Sequence, residues 1–211
     1  MRLHKRAALN DPVNTNLPPI LGRRIAIIGV TGSGKTTLAG QISNVLHIPH
    51  VELDSLHWGP NWTMAETGVF REQVRQALAY DEWVTDGNYS KARDIIWGRA
   101  DTIVWLDYKL PVILWQLLIR TLRRIITREV LWNSNRETWT GALIGKDSLL
   151  RFAIQTHPKH RKIYPQAFKQ PENAHLQVIR LKSRGETHRW LAELNNRAAH
   201  TEGHITDREL V

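Results

Sequence analysis

The chain has 211 residues, no cysteine, and 29 Lys and Arg against 20 Asp and Glu, a formal net charge of +9. That length supports one substantial core, so one domain with an insertion is the simplest organisation. Without cysteine there is neither a disulfide framework nor a thiolate zinc site. The positive balance suits phosphate-rich partners, nucleotides and nucleic acid alike.

Residues 1–21 are polar, carry Asn10-Asp11-Pro12 and Pro18-Pro19, and read as a flexible arm. Its basic start is followed by no apolar stretch long enough for a signal peptide, and a cytoplasmic setting is expected. A short apolar strand over residues 24–28 comes next. It runs into Gly29-Val30-Thr31-Gly32-Ser33-Gly34-Lys35-Thr36 and then an amphipathic helix over 37–46. Strand, glycine-rich loop and helix in this order form a complete Walker A phosphate loop. Its glycines open backbone conformations closed to other residues, so N–H groups can converge on phosphate oxygens at a helix N-terminus. Gly29, Thr31, Gly32, Ser33, Gly34, Lys35, Thr36 and Thr37 are therefore the expected nucleotide contacts. Lys35 would reach the β- and γ-phosphates, and the Thr36 hydroxyl would ligate Mg²⁺. ATP and Mg²⁺ are the cofactors this motif implies.

A second strand is predicted over 49–53, followed by a loop carrying Asp54, His57, Trp58 and Trp62, and a helix over 65–80 with Phe70, Val74 and Leu78 on one face. The third strand, 82–85, ends at Asp86-Gly87-Asn88-Tyr89, and a short helix spans 92–99. The fourth strand, 101–106, ends at Asp107. A long helix over 111–128 has proline in its first turn, where it is tolerated. Its apolar start is about half a membrane span and ends in arginines, so no membrane crossing is expected. An irregular, lid-like insertion covers about 129–146. A helix from about 147 follows, with a break expected at Pro158. A last strand over 174–181 and a closing helix over 186–197 complete the domain at 22–197. Residues 198–211 read as a loose tail.

Continuously apolar strands separated by helices specify an α/β fold in three layers, a parallel sheet covered on both faces. Ligands of such sheets bind beyond the strand carboxyl ends. Asp54, Asp86 and Asp107 each follow a strand, so the three acids should gather at the edge that holds the phosphate loop.

The order of phosphate loop, Asp54, Asp86-Gly87 and an arginine-bearing helix before an insertion resembles nucleoside monophosphate kinases, a layout shared by shikimate and gluconate kinases. More closely, Asp54…His57-Trp58-x-Pro60-x-Trp62, Trp83-Val-x-Asp86-Gly-Asn-Tyr89, the run from Arg99 to Asp107 and Arg180-Leu-x-Ser183-x-x-Glu186 are similar to P-loop proteins described as DNA topology modulation or adenylate-kinase-like proteins. The likeness covers about residues 23–195. It implies a five-stranded sheet of order 2-3-1-4-5, which places Asp86 beside the phosphate-loop strand as the acid that holds Mg²⁺, usually through water. Asp107 is the second choice. Asp54 resembles the acid that orients an acceptor hydroxyl. Monophosphate kinases present an arginine early in their acceptor region; here the first after Asp54 is Arg71, which counts against a nucleoside monophosphate acceptor.

Arg120, Arg124 and Arg128 recur every four residues and form one stripe, widened by Arg123. Such guanidinium groups can stabilise a transferring phosphoryl group, with Arg124 and Arg128 the expected catalytic pair beside Lys35, Asp54 and Asp86. Arg151 and Arg161 could close over the phosphates from the other side, and Arg184 could meet the base. Among nine tryptophans, Trp83, Trp97 and Trp105 read as core, while Trp58 and Trp62 could wall the acceptor region with His57 and Tyr89. Two functions stand. The first is a kinase passing the ATP γ-phosphoryl group to a small-molecule acceptor. The second is a nucleotide-gated DNA-associated protein, for which no base-reading element is present in the sequence.

Overall fold

The computed structural model describes residues 22–137 and 148–206, with side chains through residue 200. The arm at 1–21, residues 138–146 of the insertion and the end of the tail lie outside the described residues. Five strands, β1 (Arg24–Gly29), β2 (His50–Glu52), β3 (Trp83–Asp86), β4 (Thr102–Leu106) and β5 (Gln177–Leu181), run parallel in the order β2-β3-β1-β4-β5. This is the order expected above. The helices are α1 (Lys35–Leu46), α2 (Leu53–His57), α3 (Thr67–Ala77), α4 (Arg93–Arg99), α5 (Leu110–Ile126), α6 (Leu149–Ala167) and α7 (Arg184–Thr206).

The strands are apolar on both faces because successive side chains point to opposite sides and both sides are covered. From β1, Ile25 and Ile27 join Leu38 and Ile42 of α1, Ile113 and Leu117 of α5, and Trp190 and Leu194 of α7. Ala26 and Ile28 join Phe70 and Val74 of α3, Ile96 and Trp97 of α4, and Tyr164 of α6. Trp83, Trp97 and Trp105 are buried in the second layer, as expected. Each large side chain removed from water there contributes about 1.5–3 kcal/mol. At the opposite edge from the phosphate loop, Arg24 pairs with Asp101 at 2.6 Å and pins β1 to the start of β4.

Besides shifts of a few residues at element ends, four differences from the sequence reading stand out. Asp54 lies in the first turn of α2 rather than in a loop, because a helix of 5 residues is too short to show periodicity. The helix α5 stops at Ile126, and Thr127 caps it through its N–H to Arg123 O at 2.8 Å. Pro158 lies inside an unbroken α6, where buried Ala153, His157 and Tyr164 anchor the helix on both sides of it. The closing helix runs on to Thr206, past the expected end at Arg197, since Ala198 and Ala199 favour continuation. No described helix is long and apolar enough to cross a membrane.

Candidate functional site

The phosphate loop joins β1 to α1 and is held from below by close packing. A side chain at Gly32 would place its Cβ 2.7 Å from Leu117 Cβ, and the backbone there has φ 82°, so only glycine seats the loop against α5. At Gly29 a Cβ would stand 2.7 Å from Ser33 Oγ and 2.9 Å from Leu106 O. Asn88 clamps the same residue from the loop after β3: the Gly29 N–H donates to Asn88 Oδ1 at 3.0 Å, and the Asn88 amide donates back to Gly29 O. The sequence reading gave Asn88 no role. Its only signal was a place in the Asp-Gly-Asn-Tyr run. Lys35 leans over the loop with Nζ 3.4 Å from Val30 O. Burial lowers its pKa, opposed by Asp86 and Asp54 and reinforced by Arg120.

Beside the loop, the Thr36 hydroxyl donates to Asp86 Oδ2 at 2.6 Å. The other carboxylate oxygen, Oδ1, lies 2.9 Å from His50 Nε2 of β2. Asp86 is 5 % exposed and is placed there by register, since it pairs with Ile27 of β1 and Glu52 of β2. Adjacent ligands around an octahedral hard cation with bonds of about 2.1 Å lie about 3 Å apart. The Thr36 hydroxyl and the Asp86 carboxylate are hard oxygen donors, the ligand chemistry that Mg²⁺ takes, and their direct 2.6 Å hydrogen bond is shorter than that ligand spacing.

Asp107 is differently engaged, and this separates two acids that look alike in sequence. Arg161 Nε lies 2.8 Å from Asp107 Oδ1, and Arg180 donates to Oδ2 from Nε at 2.9 Å and from a terminal nitrogen at 2.5 Å. The Arg180 guanidinium also stacks over Trp105, 4.4 Å from the ring centroid. Asp107 thus closes an ion-pair group on the β5 side, and Arg161 belongs to that group instead of to the phosphate cavity. Arg151 is exposed at the start of α6, away from the cavity walls.

A cavity of about 520 Å³ opens above the loop. It is lined by loop residues Thr31, Gly32, Gly34, Lys35, Thr36 and Thr37, by Asp54 and Asp86, and by Arg120, Arg123 and Arg124 of α5. Trp132 closes one side and Arg184, the first residue of α7, stands on another. Arg128 is not among the lining residues. The early end of α5 drops it from the stripe into an exposed, left-handed turn with φ 51°. Arg123 and Arg124 pair with Glu129, and Arg124 donates to Glu137 at 2.8 Å.

At the Asp54 end of the cavity, Tyr89 donates its hydroxyl to Asp54 Oδ1 at 2.5 Å. Burial and then the Asp54 charge push the phenol pKa up, so it stays a donor. Behind this pair, His57 packs against Trp58, Phe70 and Tyr89 with ring centroids 4.8, 5.0 and 4.6 Å away. Burial holds the imidazole below its usual range, helped by Lys91. His57 and Trp58 are a support beneath the site; the aromatic residues of the cavity wall are Trp132 and Trp115, neither given a site role from the sequence. Trp132 Nε1 donates to Glu52 Oε2 at 2.7 Å. Arg71 is bound to Asp94 at 2.7 Å and is absent from the cavity wall.

The all-parallel sheet, its order and the helices around it match the α/β fold seen in P-loop kinases. A shikimate kinase from Bacteroides thetaiotaomicron superposes with TM-score 0.51 at 16% identity, over 83% of this chain and 98% of that one. A gluconokinase from Sinorhizobium meliloti 1021 aligns at TM-score 0.49 and 17% identity, over 87% and 97% of the two chains. A shikimate kinase from Acinetobacter baumannii, in complex with shikimate, aligns at TM-score 0.49 and 13% identity over 90% and 96%. At 16% identity the first of these establishes the fold alone. No protein-family model and no curated protein sequence matches the chain.

Proposed function

We propose that this protein is an ATP-dependent small-molecule kinase. The observation that carries the reading is the Thr36–Asp86 contact at 2.6 Å, set in one cavity with Lys35, Asp54 and three arginines. Phosphoryl transfer needs little covalent help from the protein; it needs positioning and charge. The loop N–H groups and Lys35 would hold the β- and γ-phosphates, and Arg120 and Arg124 would face the charge that develops on the transferring group. A magnesium ion, held by the Thr36 hydroxyl and through water by Asp86, would neutralise phosphate charge and fix the phosphates in place. Asp54, oriented by Tyr89, would accept the proton of an acceptor hydroxyl as its oxygen attacks. Arg184, which lines the same cavity, would meet the base.

The basic stripe favours this reading over a nucleic-acid surface. Arg124 lines the cavity, is 15% exposed and is paired with Glu129 and Glu137, so little of its charge is presented to an outer surface that nucleic acid would meet. The test is a screen of sugars, polyols, hydroxy acids and nucleoside monophosphates for acceptor-dependent ADP release. A kinase releases ADP in step with one class of acceptor and loses that activity in Asp54→Asn. ADP release that ignores every acceptor but rises with duplex DNA would replace this reading with the DNA-associated one.

A further inference from the structure

Two arginines on one helix face repel each other, yet Arg120 and Arg124 converge on the same cavity wall. Between them sits Glu137, whose carboxylate is 7% exposed. Its Oε1 takes the Arg124 donor at 2.8 Å and stands 3.6 Å from an Arg120 terminal nitrogen. Its Oε2 and the Arg120 Nε are buried without a hydrogen-bond partner among the described residues. Burial lowers the Arg120 pKa, and the Arg124 charge adds to that, while Glu137 opposes both.

The strand of chain that carries Glu137 is not free to move by itself. Residues 131–135 form a tight turn closed by a bridge from Leu131 to Asn135, and Arg136 and Glu137 follow directly from it. That turn is fastened to a matching turn at Pro60–Trp62. Trp62 N–H donates to Asn135 Oδ1 at 2.9 Å, and Asn135 donates to Gly59 O at 2.9 Å. The Trp62 indole donates to Arg136 O at 3.2 Å, and Trp132 reaches Glu52. The acceptor-side loop therefore sets where the Glu137 carboxylate stands.

We propose that Glu137 is a positioning residue: it holds Arg120 and Arg124 together, facing the transferring phosphoryl group, from a strap anchored on the acceptor-side loop. This rests on the kinase reading. A buried carboxylate cancels most of the repulsion between the two guanidinium groups, so both remain aimed at the cavity. Their further donors are left for phosphate oxygens. Because the strap is fixed to Gly59 and Trp62, the arginines are tied mechanically to the part of the protein beside Asp54. Alignment of the acceptor side and of the charge-stabilising side then happens together.

The test compares ADP binding with binding of ADP plus aluminium fluoride, which imitates the transferring group, in the intact protein with Mg²⁺. Glu137→Gln keeps the shape and removes the charge. It should leave ADP affinity within about threefold. It should also reduce the extra affinity conferred by aluminium fluoride by about 10- to 100-fold, the range seen when outer-shell supports of a site are removed. Asn135→Ala, which loosens the strap without touching a charge, should cause a loss in the same direction. Thermal unfolding of each variant reports whether the fold is intact, and if Glu137→Gln fails to fold, Asn135→Ala decides. Equal losses for both ligands would assign Glu137 a purely structural role and overturn the proposal. So would tighter ADP binding, which would mean that the carboxylate blocks the arginines. Wild-type protein that gains nothing from aluminium fluoride would instead count against the kinase reading itself.

Discussion

The Thr36 hydroxyl donates to Asp86 Oδ2 at 2.6 Å, and this contact ties the end of the phosphate loop to the carboxyl end of the neighbouring strand β3. It exists because β1 and β3 are paired in parallel with Ile27 opposite Asp86, so the loop and the acid leave the sheet side by side. His50 completes the arrangement from the other flank of β3 at 2.9 Å.

Asp86→Asn and Asp107→Asn should have opposite consequences. Asp86→Asn keeps the side-chain shape but removes the charge beside Thr36, so Mg²⁺-dependent turnover should collapse while Mg²⁺-free ADP binding persists. Asp107→Asn leaves Arg161 and Arg180 without their buried carboxylate. With those side chains 45% and 41% exposed, the cost is expected at about 1–3 kcal/mol of stability, below the range for a fully buried pair. Denaturant unfolding and Mg²⁺ titration of turnover separate the two. Loss of Mg²⁺ dependence in Asp107→Asn with normal stability would reverse the assignment.

Lys35→Ala should abolish tight ATP binding in a protein that remains folded. Lys35 contributes no apolar packing to either layer of the core and makes one long contact, to Val30 O at 3.4 Å. Calorimetric titration with ATP and a thermal melt are sufficient. Retained affinity would remove the phosphate-loop assignment altogether.

Arg124→Ala and Arg128→Ala differ in sequence only by one helical turn, and the structure sets them apart. Arg124 lines the cavity, so its removal should lower turnover by about 10³-fold or more, in the range of arginines that stabilise transferring phosphoryl groups. Arg128 lies exposed beyond the end of α5, and its replacement should leave turnover within about twofold, as for surface changes away from a site. Similar losses in the two variants would indicate a charged surface acting as a whole. A DNA salt slope that drops by about one unit in each would identify that surface as a nucleic-acid contact.

His160 makes folding sensitive to acid. Burial first, then the nearby charges of Lys35 and Arg93, depress its imidazole pKa to about 4. The unfolded chain, with an ordinary value near 6.5, binds the proton more readily. Stability is therefore complete above that unfolded value and is lost progressively as pH falls from about 6.5 to about 4. His160→Gln removes this group, so the variant should show a shallower loss of stability between pH 7 and pH 4 in urea unfolding. Parallel curves for the two proteins would show that His160 titrates normally. Carboxylates elsewhere contribute to both curves and cancel in the comparison.

What the chain determined by itself was whatever its physics keeps local. The phosphate loop was legible because strand, glycines, Lys35, Thr36 and helix are contiguous and each residue type has a geometric reason to be there. The alternation of apolar strands and helices specified the layered parallel sheet, and the family likeness supplied its order. Four features became visible only through contacts between distant parts of the chain, and a fifth through where a helix ends. Asp86 and Asp107 each end a strand, and only their neighbours, Thr36 and His50 in one case, Arg161 and Arg180 in the other, tell them apart. Asn88 reaches Gly29 across 59 positions, and Trp132 reaches Glu52 across 80, so no local pattern announces either. Glu137 reaches Arg124 across 13 positions, from a strap fixed by Asn135 to Gly59, 76 positions away. Arg128 kept the spacing of its stripe but lost its place on it when α5 ended at Ile126. Spacing along a sequence states which residues share a face while the helix lasts; where the helix stops and which charges close around a site are decided by tertiary packing.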